Sequence, residues 1–267
     1  MPPDIILSTA SFFPDTELAF RKAAECGYDG VEVMVNHDRH SQSVDSVRAL
    51  ADGYGVRIRA VHVPCLVVSQ HVWGWSPEVK LRRSVEMATA VGADIVVVHP
   101  PFRWQRGYAE DFRDLVLELD GRRHDGLPRS NGSAPRVTVE NMFTVEAMGR
   151  RVDPYRWNDD PGFAAFPALT LDTSHAGAAR QDLLELHDSM GERVHHLHLS
   201  DSTTTRGDEH LPPGTGVLPL TELAGAMLAR GFDGVVVIEV GFSRLPEGSR
   251  TSAARDSLDY ARVAFAP

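Results

Sequence analysis

Cysteine is nearly absent from this 267-residue chain, with Cys26 and Cys65 the only two. Two thiols cannot build a disulfide framework, so both are expected to be reduced, buried small hydrophobes. Lysine is equally scarce: of 27 basic residues only Lys22 and Lys80 are lysines. Both fall in helix-patterned segments expected on the outer layer, which leaves no amine placed for Schiff-base chemistry. No apolar run is long enough to span a bilayer. Near the N-terminus stand Asp4 and the short run Ile5-Ile6-Leu7. That is not the pattern of a signal peptide, so the expected location is the cytoplasm. Basic residues are outnumbered 27 to 37, and the net charge of −10 disfavours non-specific affinity for nucleic acid. The length is that of one eight-stranded α/β barrel, so a single barrel domain over residues 1–267 is expected.

What is present is an alternation of β-branched runs and amphipathic segments. Strands are predicted near Asp4–Thr9, Gly30–Val35, Val56–Val63, Asp94–His99, Arg136–Asn141, Ala168–Asp172, Val194–Leu199 and Gly234–Glu239. Runs such as Ile95-Val96-Val97-Val98 are apolar at successive positions, as strands covered on both faces are. Helices are predicted near Asp15–Cys26, Ser43–Gly53, Pro77–Val91, Ala109–Leu119, Ala178–Met190, Pro219–Arg230 and Ser252–Ala264. Strand–helix alternation repeated in this way implies a parallel (β/α)8 TIM barrel. The motif Gly27-Tyr28-Asp29-Gly30-Val31 recurs as Gly231-Phe232-Asp233-Gly234-Val235, each time between a helix and a strand. Two stretches are irregular: Gly121–Pro135, expected on the non-catalytic side, and Asp153–Pro167, placed to overhang the mouth.

The strand ends carry the chemistry. Strands three to eight finish with His62, His99, Glu140, Asp172, His196 and His198, and Glu239, with His175 just beyond strand six. In a barrel these ends converge on one face, where active sites lie. Several carboxylates in one apolar mouth would repel one another, and a divalent cation removes that problem. Carboxylates with an imidazole suit Mn, Co, Mg or Zn, while thiolates are missing. The metal ligands expected are Glu140, Asp172, His198 and Glu239. His195 should face the helical layer, because neighbours alternate across a strand. His37, His40, His71, His124 and His187 join no constellation and are read as surface residues. Asn141 either caps a turn or orients a ligand.

After strand seven, Asp208-Glu209-His210 has ligand spacing, although a solvated loop would look the same. The Gly214-Thr215-Gly216 turn could offer N–H groups to a phosphate. Phe12, Phe13, Trp73, Trp75, Phe102 and Trp104 follow strand ends and could wall a sugar pocket.

Together these motifs resemble the xylose isomerase-like barrels, a superfamily of sugar isomerases and epimerases, inosose dehydratases and endonuclease IV. The matching pieces are Val139-Glu140-Asn141, Leu171-Asp172-Thr173-Ser174-His175, His196-Leu197-His198-Leu199-Ser200-Asp201, the Pro-Gly-x-Gly turn and Glu239. The resemblance implies one divalent ion on Glu140, Asp172, His198 and Glu239, with the two glutamates moving protons at a sugar carbon. The opening step is deprotonation beside a carbonyl, through an enediolate. His62, His99, His175, Asp208, His210 and Trp104 are the expected substrate contacts. The endonuclease IV members hold three zincs on nine ligands, and this chain offers a candidate for each: His62, His99, Glu140, Asp172, His175, His198, Asp208, His210 and Glu239. The alternative is therefore a trinuclear zinc phosphodiesterase acting on abasic DNA. Against it, only Arg103-Trp104-Gln105-Arg106 approaches the basic and aromatic interleaving that a duplex-binding mouth needs. An inosose-type dehydratase shares the same opening step. The expected partner is a small carbohydrate, with nucleic acid and membrane not expected; the oligomeric state stays open, a homo-oligomer included.

Overall fold

In a computed structural model of the chain, residues 2–65, 69, 71–120, 134–147, 150–205 and 207–266 are described. The elements run β1 (Asp4–Ser8), α1 (Thr16–Cys26), β2 (Val31–Met34), α2 (Val44–Tyr54), β3 (Ile58–His62), α3 (Pro77–Val91), β4 (Ile95–Val98), α4 (Arg106–Leu119) and β5 (Arg136–Glu140). Then come the hairpin β6 (Val145–Ala147) and β7 (Arg150–Val152), α5 (Asp160–Phe163), β8 (Leu169–Asp172), α6 (Thr173–Ala179), α7 (Leu183–Met190), β9 (Val194–Leu199), α8 (Leu220–Ala229), β10 (Val235–Ile238) and α9 (Arg250–Ala264). Eight parallel strands close in the order β1-β10-β9-β8-β5-β4-β3-β2, a (β/α)8 TIM barrel.

Side-chain alternation sorts each strand between two cores. Outward residues such as Val31, Val33, Val96, Val98, Val137 and Val139 pack into the layer shared with the helices. Inward, Ile6, Ala60, Ile95, Val97, Val235 and Val237 form a separate apolar plug in the lumen. Continuing up the inward faces by steps of two reaches His62, His99, Glu140, Asp172, His198 and Glu239. The barrel therefore presents its ligand-type residues from one register.

The repeated glycine motif has a physical cause in both copies. Gly27 and Gly231 follow helices with φ of 84° and 77°, the left-handed region that costs glycine least. Gly30 and Gly234 lie against a neighbouring backbone: a Cβ at Gly30 would stand 2.7 Å from the Arg57 carbonyl oxygen, and one at Gly234 would overlap the His195 carbonyl.

Several expectations need correction. The helix predicted over Ala178–Met190 is two helices. The Asp172 side chain accepts from His175 N and starts α6 directly at the strand end, and Arg180 at φ 54° closes it before Asp182 caps α7. The hairpin β6–β7 has no counterpart in the expected elements. His187 is buried rather than on the surface. Lys80 lies on α3, as expected, but its side chain is turned inward: it is 5% exposed, and its Nζ donates to the carbonyls of Pro64 and Ser69. Cys26 and Cys65 are half-buried rather than fully buried. Most of the irregular stretch 121–135, with His124, lies outside the described residues. Within Asp153–Pro167, Tyr155 bridges to Phe102 across the mouth and Asp160–Phe163 forms a single helical turn.

Candidate metal centre

Glu140, Asp172, His198 and Glu239 each place one ligand atom within 4.8 Å of the others. His198 Nδ1 lies 2.9 Å from Glu140 Oε1, 2.9 Å from Glu239 Oε2 and 3.4 Å from Asp172 Oδ2. A ring nitrogen offers one proton or one lone pair, so it cannot serve three carboxylates. Asp172 Oδ2 is buried and, among the described residues, has no hydrogen-bond partner. Three anionic oxygens around one nitrogen, one of them orphaned, are a donor set that a divalent ion would complete, so these residues fit a metal. Without one, the imidazole carries the balance. Burial would lower the His198 pKa, but Glu239, Glu32 and Glu140 hold it well above the usual range. Burial would likewise raise Glu140, yet His198 and His99 keep it well below the carboxylate range.

Two further clusters flank this one. His62 Nε2 and His99 Nε2 lie 3.2 and 3.0 Å from Glu140 Oε2. His62 Nδ1 donates to the Val63 carbonyl at 3.0 Å, which aims Nε2 at the cluster. On the other side Asp172, His175 and His210 form a ligand-spaced group. His175 Nδ1 donates to the Asn141 carbonyl and His210 Nδ1 to the Glu239 carbonyl, both at 2.9 Å. Their Nε2 atoms face Asp208 Oδ2 at 3.6 and 2.9 Å. Burial opposes the His210 imidazolium, but Asp208 outweighs it and the pKa rises to about 9. The same contest leaves His175 well above its usual range, through Asp172 and Asp208. All nine residues singled out from the sequence as possible metal ligands thus converge.

The surroundings hold these side chains in place. Asn141 does orient a neighbour: its Oδ1 accepts from Asp172 N at 2.7 Å and its Nδ2 donates to Asp172 O at 3.0 Å. Ser174 Oγ donates to Asp208 Oδ1 and accepts from His210 N, which steadies His210 at a left-handed φ of 47°. Ser8 Oγ donates to Glu239 Oε1 at 3.3 Å. The Gly214-Thr215-Gly216 turn does not present its N–H groups to a ligand. Gly214 N and Gly216 N both donate to Asp201 Oδ2, at 3.0 and 2.9 Å, while Ser202 N and Leu218 N take Oδ1.

One residue escaped the sequence reading. Glu32, in β2, is fully buried between two imidazoles, with Oε1 3.2 Å from His198 Nε2 and Oε2 3.2 Å from His196 Nε2. The signal was a lone carboxylate inside Val31-Glu32-Val33-Met34-Val35. It lies below the strand end, outside the positions where ligands were sought.

A cavity of about 280 Å³ opens beside Glu239, Asp208 and His210, walled by Phe13, Met34, His37, Ser243 and Arg244. A second, of about 180 Å³, lies by His99 and is lined by Cys65, Lys80, Trp75, Phe102 and Tyr155. Burial pushes the Cys65 thiol up to about 12, so it is no thiolate ligand. Trp104 is 65% exposed and stacks on Phe102 with ring centroids 4.3 Å apart, at the rim of that second cavity. Phe12 is buried against Phe242 and walls neither cavity. No helix among the described residues is long and apolar enough to cross a membrane.

Comparison with known proteins agrees with this architecture. A family model described as xylose isomerase-like TIM barrel matches residues 20–120 and 167–263. An uncharacterized protein of Mycobacterium tuberculosis is 40% identical over 278 residues, covering 96% of each chain. Fructoselysine 3-epimerase of Shigella flexneri is 23% identical, covering 84% of each. The crystal structure of a D-tagatose 3-epimerase-like protein superposes with a TM-score of 0.69 at 20% identity, covering 98% of each chain.

Proposed function

The chain belongs to the xylose isomerase-like TIM barrel family, and we propose that within it this protein is a divalent-metal-dependent isomerase or epimerase of a sugar or related polyol. The observation that carries the reading is His198 Nδ1 ringed by Glu140, Asp172 and Glu239, the last of which lines a cavity of about 280 Å³. The relative named fructoselysine 3-epimerase supports the substrate class.

Glu140, Asp172, His198 and Glu239 would hold the ion, which when bound would polarise a substrate carbonyl and stabilise the charge that develops beside it. Of the four residues that would hold the ion, Glu239 is the one that lines the cavity. We assign it to move the proton at the carbon next to the carbonyl, with Glu140 as its opposite number. His62 and His99 hold Glu140 Oε2 from behind, so that oxygen is positioned but screened. His175, Asp208 and His210 would meet the substrate's hydroxyl groups, and Phe13 would pack one face of the ring or chain.

A second reading, the trinuclear zinc phosphodiesterase, is favoured by the two flanking ligand groups His62–His99–Glu140 and Asp172–His175–His210. The charge argues against it: the chain carries −10, and among the described residues Arg244 is the one arginine or lysine in the wall of this cavity. The deciding experiment offers the metal-loaded protein a panel of ketoses in deuterium oxide and, separately, an abasic DNA duplex. Wash-in of deuterium at a carbon next to the carbonyl supports the isomerase. Efficient incision of the duplex, lost in His210→Ala, replaces it with the nuclease.

A further inference from the structure

We propose that Glu32 is a positioning residue that fixes which nitrogen of His198 faces the metal, a role resting on the reading of the central cluster as a metal site. Left to its surroundings, His198 would carry its proton on Nδ1, because Glu140, Glu239 and Asp172 all crowd that atom. A proton there excludes the ion. Glu32 competes for it from the opposite edge of the ring. Its Oε1 lies 3.2 Å from His198 Nε2 and its Oε2 3.4 Å from the same atom, so the Nε2–H has a charged acceptor. With the proton on Nε2, the Nδ1 lone pair points at the carboxylate cluster. A carboxylate behind a ligating imidazole also makes it the better donor.

Three features separate this from ordinary packing. Glu32 is fully buried in the lumen beside the apolar plug, where an ionised carboxylate is costly unless it is paired. Its strand neighbours in register are Ser8 and Ala60, small residues that leave room for the side chain to lie across the lumen. Its Oε2 also stands 3.2 Å from His196 Nε2, outside hydrogen-bond geometry, so the carboxylate lies between two imidazoles. A neutral amide would fill the same space; only the anion strengthens Nδ1 as a ligand.

The test is cobalt binding by the whole chain, wild type against Glu32→Gln and Glu32→Asp. Glu32→Gln should weaken Co²⁺ affinity by roughly 10–100-fold and shift the cobalt d–d absorption. Glu32→Asp should recover part of both. An unchanged affinity and spectrum in Glu32→Gln, with a lowered melting temperature, would show a purely structural residue and overturn the proposal. Nitrogen-15 histidine spectra of the zinc-loaded wild type decide the question even if the variants do not fold. The proton must be on Nε2 of His198, and a protonated Nδ1 overturns the assignment. Failure of the wild type to bind any divalent ion sinks the metal-dependent function itself, whereas equal binding by wild type and Glu32→Gln sinks only the role of Glu32.

Discussion

Metal uptake at the central cluster should expel protons, and their number should report how many ions bind. In the ion-free chain, burial works against the His198 imidazolium, but Glu239, Glu32 and Glu140 keep it charged well above its usual range. An ion needs the Nδ1 lone pair, so one ion in the central cluster should release about one proton near neutral pH. His62, His175 and His210 are also raised, while burial lowers His99. Filling the two flanking clusters as well should carry the release towards about four protons per chain. The sign is set by competition: as pH falls, protons win, and the apparent affinity of the central site should drop about tenfold, or about 1.4 kcal/mol, per pH unit. Calorimetric titration of the metal-free protein in buffers of different ionisation enthalpy measures the proton number directly. Zero release, with an affinity flat from about pH 6 to about pH 8, would refute the idea that an imidazolium holds these carboxylates together.

Further expectations concern single residues. Glu140→Gln and Glu239→Gln should fold normally, bind the ion more weakly and lose turnover; full activity in either, measured by solvent-deuterium wash-in, would place the site elsewhere. Gly216→Ala should drive its Cβ onto the Asp201 carboxylate and cost about 1–3 kcal/mol in thermal unfolding, and a variant as stable as the parent would contradict the packing of that loop. The metal-free protein should lose stability as pH rises through about 9, because His210 is raised by Asp208; its contribution is complete below about 6.5 and amounts to about 3 kcal/mol, shared with Asp208. Denaturant unfolding that is flat or rising across that interval would count against the pair. Borohydride with a carbonyl substrate should trap no adduct on Lys80, whose Nζ is engaged by the Pro64 and Ser69 carbonyls; mass spectrometry of the treated protein checks this.

The barrel was legible because its strands are apolar on both faces and its helices are punctuated by Ser, Asp and Gly at their ends. The candidate ligands were legible because the side chains that end strands three to eight share one face, and the structure brings all nine candidates together. What stayed hidden depended on contacts that sequence order does not carry. Glu32 sits below the mouth, and only the closure of β1 on β10 brings it under His198. The N–H groups of Gly214 and Gly216 look free until Asp201, thirteen and fifteen residues earlier, folds back to take them. Lys80 and His187 follow helical periodicity like surface residues, yet one turns inward onto loop carbonyls and the other is buried on α7. The start of α6 was missed because Asp172 is both a site residue and a helix cap.

The plug of Ile6, Ala60, Ile95, Val97, Val235 and Val237 makes the barrel a vessel with one door. Glu140, Asp172 and His198 are buried beneath the cavity wall, and Glu239 stands at the boundary between them. Whatever occupies the floor must enter before whatever occupies the cavity, and must leave after it. An ion held there, as proposed, would be first in and last out, so a polyol seated in the cavity should act as a stopper that slows a chelator's removal of the metal.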